Sequence, residues 1–275
     1  MTRDPVALPH LRAVRYAAPL REGGSLPAVV ETLDGDEWVV KFRGAGQGPG
    51  ALVAEIVAGS IGRRLGLPVP DLAVIEVPAE LGRAEPDPEI RELLERSVGA
   101  NAGLRFLRGA LPWRAGVSTW PSPELAADVV WFDALVTNID RTARNPNVLV
   151  CAGAPWLIDH GAALYIQHTW REPEAHARRP FTQAADHLLL GVAGSIEEAD
   201  ARLAGRLDRD VLEAILELVP DGWLSAPRER FVGYLTHRLT APRPFVAGAE
   251  EARLAIARSG PGPVGRARDQ ARTDA

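Results

Sequence analysis

Residues 28–33 (AVVETL) and 37–42 (EWVVKF) are two short β-rich runs separated by Asp34-Gly35-Asp36. Asp-Gly between such runs predicts a hairpin, and Lys41 then stands near the end of its second strand. A glycine-rich stretch, GAGQGPGA (44–51), leads into Val53, Val57, Ile61 and Leu65, an apolar stripe at helical spacing. Gly66 and Pro68 are its stop signals. Residues 72–77 read as a further strand, the middle of 79–102 (PEIRELLERSV) as a polar helix, and 104–107 as another strand. Ser122 before Pro123 predicts a helix start, with serine as N-cap and proline in the first turn. Leu125, Val129, Phe132 and Val136 then mark its apolar face. After NIDRTARNPN come VLV, a turn CAGAP and WLID, which predict a second hairpin. Helices are expected around 184–192, 196–204, 208–218 and 225–239. The Gly/Pro/Arg-rich residues from Ser259 onward are expected to be disordered. No internal repeat is visible.

Composition narrows the function classes. The chain has 275 residues, 46% of them hydrophobic, enough for one large domain or two lobes. A net charge of −5, with arginines scattered among acids, argues against a nucleic-acid partner. The longest apolar stretch, 125–136, is interrupted by Asp128 and Asp133 and is too short for a bilayer. No basic amphipathic face marks a membrane surface, and the first residues lack the apolar segment of a signal peptide. Cys151 is the one cysteine. It can form no internal disulfide and no cysteine-rich zinc site, so a cytoplasmic setting is the default expectation. The bias to Arg, Ala, Gly and Pro suggests a GC-rich bacterial genome. The seven tryptophans read as core and packing residues.

One position departs from the arginine bias. Of 31 basic residues, Lys41 alone is lysine. Lysine differs from arginine where a compact point charge must fit a tight space, such as beside phosphate oxygens. A P-loop fails here, because Val40 and Phe42 flank the lysine where glycine and Ser/Thr are needed. A dinucleotide-binding turn finds a partial match in Gly46, Gly48 and Ala51, but Pro49 removes an N–H where backbone donors should face a pyrophosphate.

The segment NIDRTARNPNVLV separates these readings. Asn145 follows Asp140 by five residues, and Asp159 follows by fourteen more, in IDHG beyond the predicted hairpin. This order matches a protein-kinase catalytic centre: a loop acid, an asparagine, a hairpin, then an acid before glycine. The first acid must reach an attacking hydroxyl, while the asparagine and second acid converge on Mg2+ held by ATP phosphates. Mg2+ prefers oxygen ligands and keeps several waters, so two protein ligands suffice. Lys41 would hold the α/β-phosphates, and Glu55, on the following helix, could pair with it. Asp133 could anchor the loop or be a solvated helix acid. His160 could orient Asp159 or simply be packed, and His187 is expected to be a satisfied or surface histidine.

The chain resembles the HipA-like kinases, through GGSLPAVV (23–30), WVVKF (38–42), the Glu55 helix with LGLPVP (65–70), NIDRTARNPN (138–147) and LIDHG (157–161). The resemblance implies an α+β, bilobal protein-kinase-like fold, with a β-rich N-lobe (1–112), a mainly helical C-lobe (113–245) and a partly disordered tail (246–275). It implies ATP- and Mg2+-dependent transfer of the γ-phosphate to a hydroxyl, with Ser/Thr of a protein as the first expectation. A pseudokinase or a small-molecule kinase is the alternative. Carried over, Asp140 is the catalytic acid/base, assisted by Lys41 and Arg144, and Asn145 and Asp159 bind the metal. Gly23, Gly24, Ser25, Lys41 and Glu55 serve the nucleotide. Thr142 stands where the founding toxin pattern has histidine, Arg144 where lysine is common, and the metal motif is DHG, without phenylalanine. These departures bear on toxin function more than on ATP binding.

Overall fold

In the computed structural model, residues 8–20, 26–83 and 85–258 are described. Five strands close into a barrel: β1 (His10–Pro19), β2 (Ala28–Thr32), β3 (Glu37–Lys41), β4 (Leu72–Val77) and β5 (Gly99–Arg105). Their order is β1-β2-β3-β5-β4, and parallel pairing of His10–Arg12 with Val74–Glu76 closes the ring. Between β3 and β4 runs the long helix α1 (Gly48–Leu65); α2 (Ala79–Arg83) and α3 (Pro88–Arg96) lie between β4 and β5. A three-stranded sheet follows, from β6 (Leu111–Pro112), β7 (Val148–Cys151) and β8 (Ala154–Leu157), in that spatial order. The remaining elements are α4 (Pro123–Val136), α5 (Pro173–Ala177), α6 (Ile196–Leu203), α7 (Arg209–Glu217), α8 (Arg228–Leu239) and α9 (Pro244–Arg258). Among the described residues, no helix is long and apolar enough to cross a membrane.

The predicted β2–β3 hairpin is present, and Gly35 takes the left-handed conformation (φ +82°) that its turn needs. The α4 start also matches: the Ser122 hydroxyl accepts from the Leu125 amide at 3.2 Å. From Ala126 to Val136, all but Asp128 of the residues in α4 are buried, so the helix is a central post, not a half-exposed element. Its neighbours include Ile56 and Ile61 of α1 and Leu235 of α8, all in the larger apolar core. A smaller core fills the barrel, around Val30, Trp38, Val40, Ile75 and Leu94.

Several boundaries differ from the sequence reading, each for a physical reason. Strand β1 was not expected. Its pairing with β2 is twice irregular and only Ala13 is fully buried, so no alternation shows. Strand β5 begins at Gly99, not Leu104, because its small residues suit a place between β3 and β4. A Cβ on Gly103 would come within 2.5 Å of Ile75 Cγ1. The second half of GAGQGPGA is the first turn of α1, which tolerates Pro49 where an N–H would go unused. Residues 184–192 are not an α-helix: 3-10 turns at 182–186 and 190–192 flank an extended His187, which bridges to Thr142. Helix α9 carries order to Arg258, beyond the expected lobe end at 245, by burying Phe245, Val246 and Ala249. The tail from 259 lies outside the described residues.

Candidate active site

Lys41 ends β3 and is 7% exposed. Its ammonium sits between two carboxylates, 2.5 Å from Glu55 Oε2 and 2.5 Å from Asp159 Oδ1. Burial alone would lower the Lys41 pKa, but Glu55 and Asp159 outweigh it and raise it, so the cation is held charged. Glu55 points from α1 into the interior and is fully buried. Burial pushes its carboxyl up, yet Lys41 and His160 draw it down to about 2. His160 grips the same carboxylate twice, through its backbone N–H (2.9 Å) and through Nδ1 (3.3 Å). Of the two roles considered for His160, the structure therefore shows a packed residue that fixes Glu55; its ring also meets Phe132 edge-on. Glu55 therefore faces Lys41 and His160 and not open space.

Asp159 differs from its neighbours. Its side chain is 41% exposed and its backbone is left-handed (φ +55°), a conformation that concentrates at functional sites. A Cβ at Gly161 would stand 3.4 Å from Lys41 Nζ and 3.5 Å from Asp159 Oδ1.

Asp140 and Asn145 form the second half. Asn145 Nδ2 donates to Asp140 Oδ2 at 2.7 Å, and Asn147 Nδ2 reaches the same oxygen at 3.4 Å. With its Nδ2 so engaged, the Asn145 side-chain Oδ1 has no hydrogen-bond donor among the described residues, while its backbone carbonyl accepts the Thr142 amide at 3.0 Å. The β7–β8 hairpin sets this loop against the Asp159 segment: Val148 pairs with Leu157, and the Ile158 amide donates to the Asn147 carbonyl at 3.0 Å. Arg144 is exposed and makes no hydrogen bond or ion pair among the described residues. Gly23, Gly24 and Ser25 lie outside the described residues.

The loop is anchored by a cluster that the sequence reading found only in part. Asp133 of α4 is fully buried and accepts from Arg141 Nε (2.6 Å), His187 Nε2 (2.9 Å) and Asn138 Nδ2 (2.8 Å). Burial raises its pKa, but Arg141 and His187 reverse this and hold it well below the usual carboxylate range. His187 Nδ1 accepts the Leu189 amide at 3.1 Å, which leaves the proton on Nε2 to donate to Asp133. Arg141 continues to the carbonyls of Asn147 and Ile158, tying the loop to the strand that leads to Asp159. Arg141 went unnoticed in the sequence. Its signal was an acid, Asp133, inside an apolar helix, which needs a buried cation as partner.

The donor set suits a small hard cation. A carboxylate and an amide oxygen, from Asp159 and Asn145, would offer only oxygen. Among the described residues, no group of three or more His, Cys, Asp or Glu forms a metal cage. Mg2+ that keeps its waters and binds phosphate oxygens needs none.

Comparison with known proteins identifies the family. The chain is similar to the crystal structure of the Helicobacter pylori proinflammatory kinase CtkA, with a TM-score of 0.57 at 14% identity. The match covers 91% of this chain and 99% of that one, which is a likeness of fold. No curated protein matches significantly in sequence. The family model for HipA-like kinases matches residues 14–240, a span that holds most of the barrel, Lys41, Glu55, the Asp140–Asn147 loop and Asp159. The chain belongs to the HipA-like kinase family.

Proposed function

We propose that the protein is an ATP- and Mg2+-dependent kinase that transfers the γ-phosphate to a hydroxyl, with Ser/Thr of a protein as acceptor. The barrel with α1 to α3 serves as the ATP-binding lobe and the helical remainder as the catalytic lobe. One observation carries this reading: Lys41 is held by Glu55 from one side and by the half-exposed Asp159 from the other, as nucleotide phosphates would require.

Roles follow from the chemistry of each group. Asp140 accepts the proton of the incoming hydroxyl and orients its oxygen; Asn145 and Asn147 hold the carboxylate while it does so. Lys41 stabilises negative charge on the nucleotide phosphates, and Glu55 with His160 keeps the ammonium in place. The Asn145 side-chain Oδ1 and Asp159 would hold Mg2+, which when bound offsets charge on the phosphate oxygens. Arg144, with no partner of its own, can meet an acidic group on the acceptor or a phosphoryl oxygen. Asp140 is only partly buried and Asn145 is exposed. That supports an acceptor carried on a large molecule in preference to a metabolite enclosed in a pocket.

The test is transfer of labelled phosphate from Mg-ATP, read as autophosphorylation and ATP turnover. Asp140→Asn should lower transfer by about 10²–10⁴, the usual worth of a positioned acid/base, and leave ATP binding nearly unchanged. ATP binding without transfer in the wild type, under conditions that include candidate protein acceptors, would favour a pseudokinase.

A further inference from the structure

Arg238, on α8, is 2% exposed. Its guanidinium donates to three backbone carbonyls: Nε to Leu135 at 2.7 Å, Nη2 to Ala134 at 2.6 Å and Nη1 to Ala177 at 3.2 Å. It also lies over the Phe245 ring, 4.8 Å from the centroid. Burial lowers its pKa, and the side chain that opposes this is Tyr234, not a carboxylate. Arginine keeps its proton all the same, so α8 holds a buried cation with no acid beside it. Such residues are rare, because an unpaired buried charge is costly. A methionine or leucine could occupy this core without that cost.

What offsets the charge is the end of α4. Ala134 and Leu135 stand in its last turn, where carbonyls have no partner within the helix and form the negative end of its dipole. The neighbouring carbonyls are taken as well. Asp133 O accepts from the Thr137 and Asn138 amides, and Val136 O accepts the Leu164 amide at 2.7 Å. Helices commonly close these carbonyls locally, around a left-handed glycine. Here α4 ends on Thr137, left-handed at φ +54° without being glycine. Three of its last carbonyls are closed by Arg238 and Leu164, both from distant parts of the chain. Distant contacts therefore set the direction in which the chain leaves α4, and Asp140 stands three residues beyond Thr137. The third bond of Arg238 extends the hold to Ala177 of α5, in the segment between Asp159 and His187.

We infer that Arg238 is a positioning residue for the Asp140 loop, acting through the last turn of α4. Its side chain is enclosed, so it works on the loop and not on a substrate. The Asp133 cluster grips the loop by its side chains; Arg238 fixes the backbone from which the loop departs. The catalytic consequence rests on the kinase reading, but the ordering of the loop does not.

The test compares the full chain with Arg238→Lys, Arg238→Met and, as a control, Arg243→Lys. Lysine keeps the charge and reaches fewer carbonyls; methionine keeps the bulk without charge or donors. Arg243 bonds Asp200 and the Leu239 carbonyl, not the carbonyls of α4. Hydrogen exchange is followed by mass spectrometry on peptides spanning 137–147, with the β2–β3 hairpin as reference. Arg238→Lys should speed exchange in the loop about tenfold, the loss of one hydrogen bond to a charged group, and leave the hairpin as it is. Arg243→Lys should leave the loop unchanged. In phosphate transfer, Arg238→Lys should lower kcat by about 10–100-fold, the scale of a small misplacement of reacting groups, with KM for ATP unchanged. A merely structural arginine would lower thermal stability and leave both loop exchange and the kcat of folded protein untouched, and that result would overturn the proposal. So would equally fast loop exchange in Arg243→Lys, or full kcat despite a loosened loop. If Arg238→Met does not fold, Arg238→Lys decides. If the wild type transfers no phosphate, the kinase reading fails, and the exchange measurement still decides whether Arg238 orders the loop.

Discussion

Two buried networks in this protein use nearly the same parts to opposite ends. Around Asp133, a carboxylate, an arginine, an asparagine and a histidine are closed on one another, and the Asp133 and Arg141 side chains have no exposure at all. Around Lys41, a carboxylate, a lysine and a histidine are equally buried on one side, but the fourth member, Asp159, is left 41% exposed. The first network has no free valence. The second ends in a carboxylate facing outward beside a lysine that has little else to do. The lesson is that burial and ion pairing do not by themselves mark an active site. What sets the candidate site apart is a buried ion pair, Lys41 with Glu55, that ends in a half-exposed carboxylate, Asp159.

The comparison can be broken most severely at Asp133. Asp133→Ala leaves Arg141 buried without its counter-charge, which should cost about 3–5 kcal/mol of stability, measured by urea denaturation. A loss below about 1 kcal/mol would mean that the closed network is not the anchor described here.

The Lys41 network should show its charge through pH. The Glu55 pKa is lowered from 4.5 to about 2 in the folded chain. Its contribution to stability is therefore complete above the ordinary carboxylate range and is lost as pH falls from about 4.5 towards 2. Glu55→Gln should lower stability at pH 7 by up to about 3 kcal/mol. Because the variant lacks this titration, its stability should fall less steeply than the wild type's between those pH values. Parallel curves would place the acid sensitivity elsewhere. The smallest effect is expected at Arg144, exposed and unpaired. Arg144→Ala should change stability by no more than about 0.5 kcal/mol, with a fall in transfer smaller than that of Asp140→Asn.

Much of the candidate site was legible because its residues are local in sequence. Lys41 stands out as the single lysine, and Asp140, Asn145 and Asp159 hold fixed spacings that one loop and one hairpin impose. The pairing of Lys41 with Glu55 was readable from a strand followed by a helix. What stayed hidden depends on distant contacts. His187 reaches Asp133 across 54 residues, and its extended backbone breaks what the sequence pattern presents as a helix. Strand β1 hides its alternation in bulges, and β5 is made of residues too small to look like a strand.

The most direct measurement is phosphate transfer by Lys41→Arg, run beside its thermal unfolding. An arginine keeps the charge but is too broad and planar to place one nitrogen between Glu55 and Asp159. The account predicts a folded protein whose transfer falls by about 10²–10³, the usual cost of losing one oriented electrostatic group. A folded Lys41→Arg variant with full activity would contradict it, because the lysine would then be one more interchangeable cation.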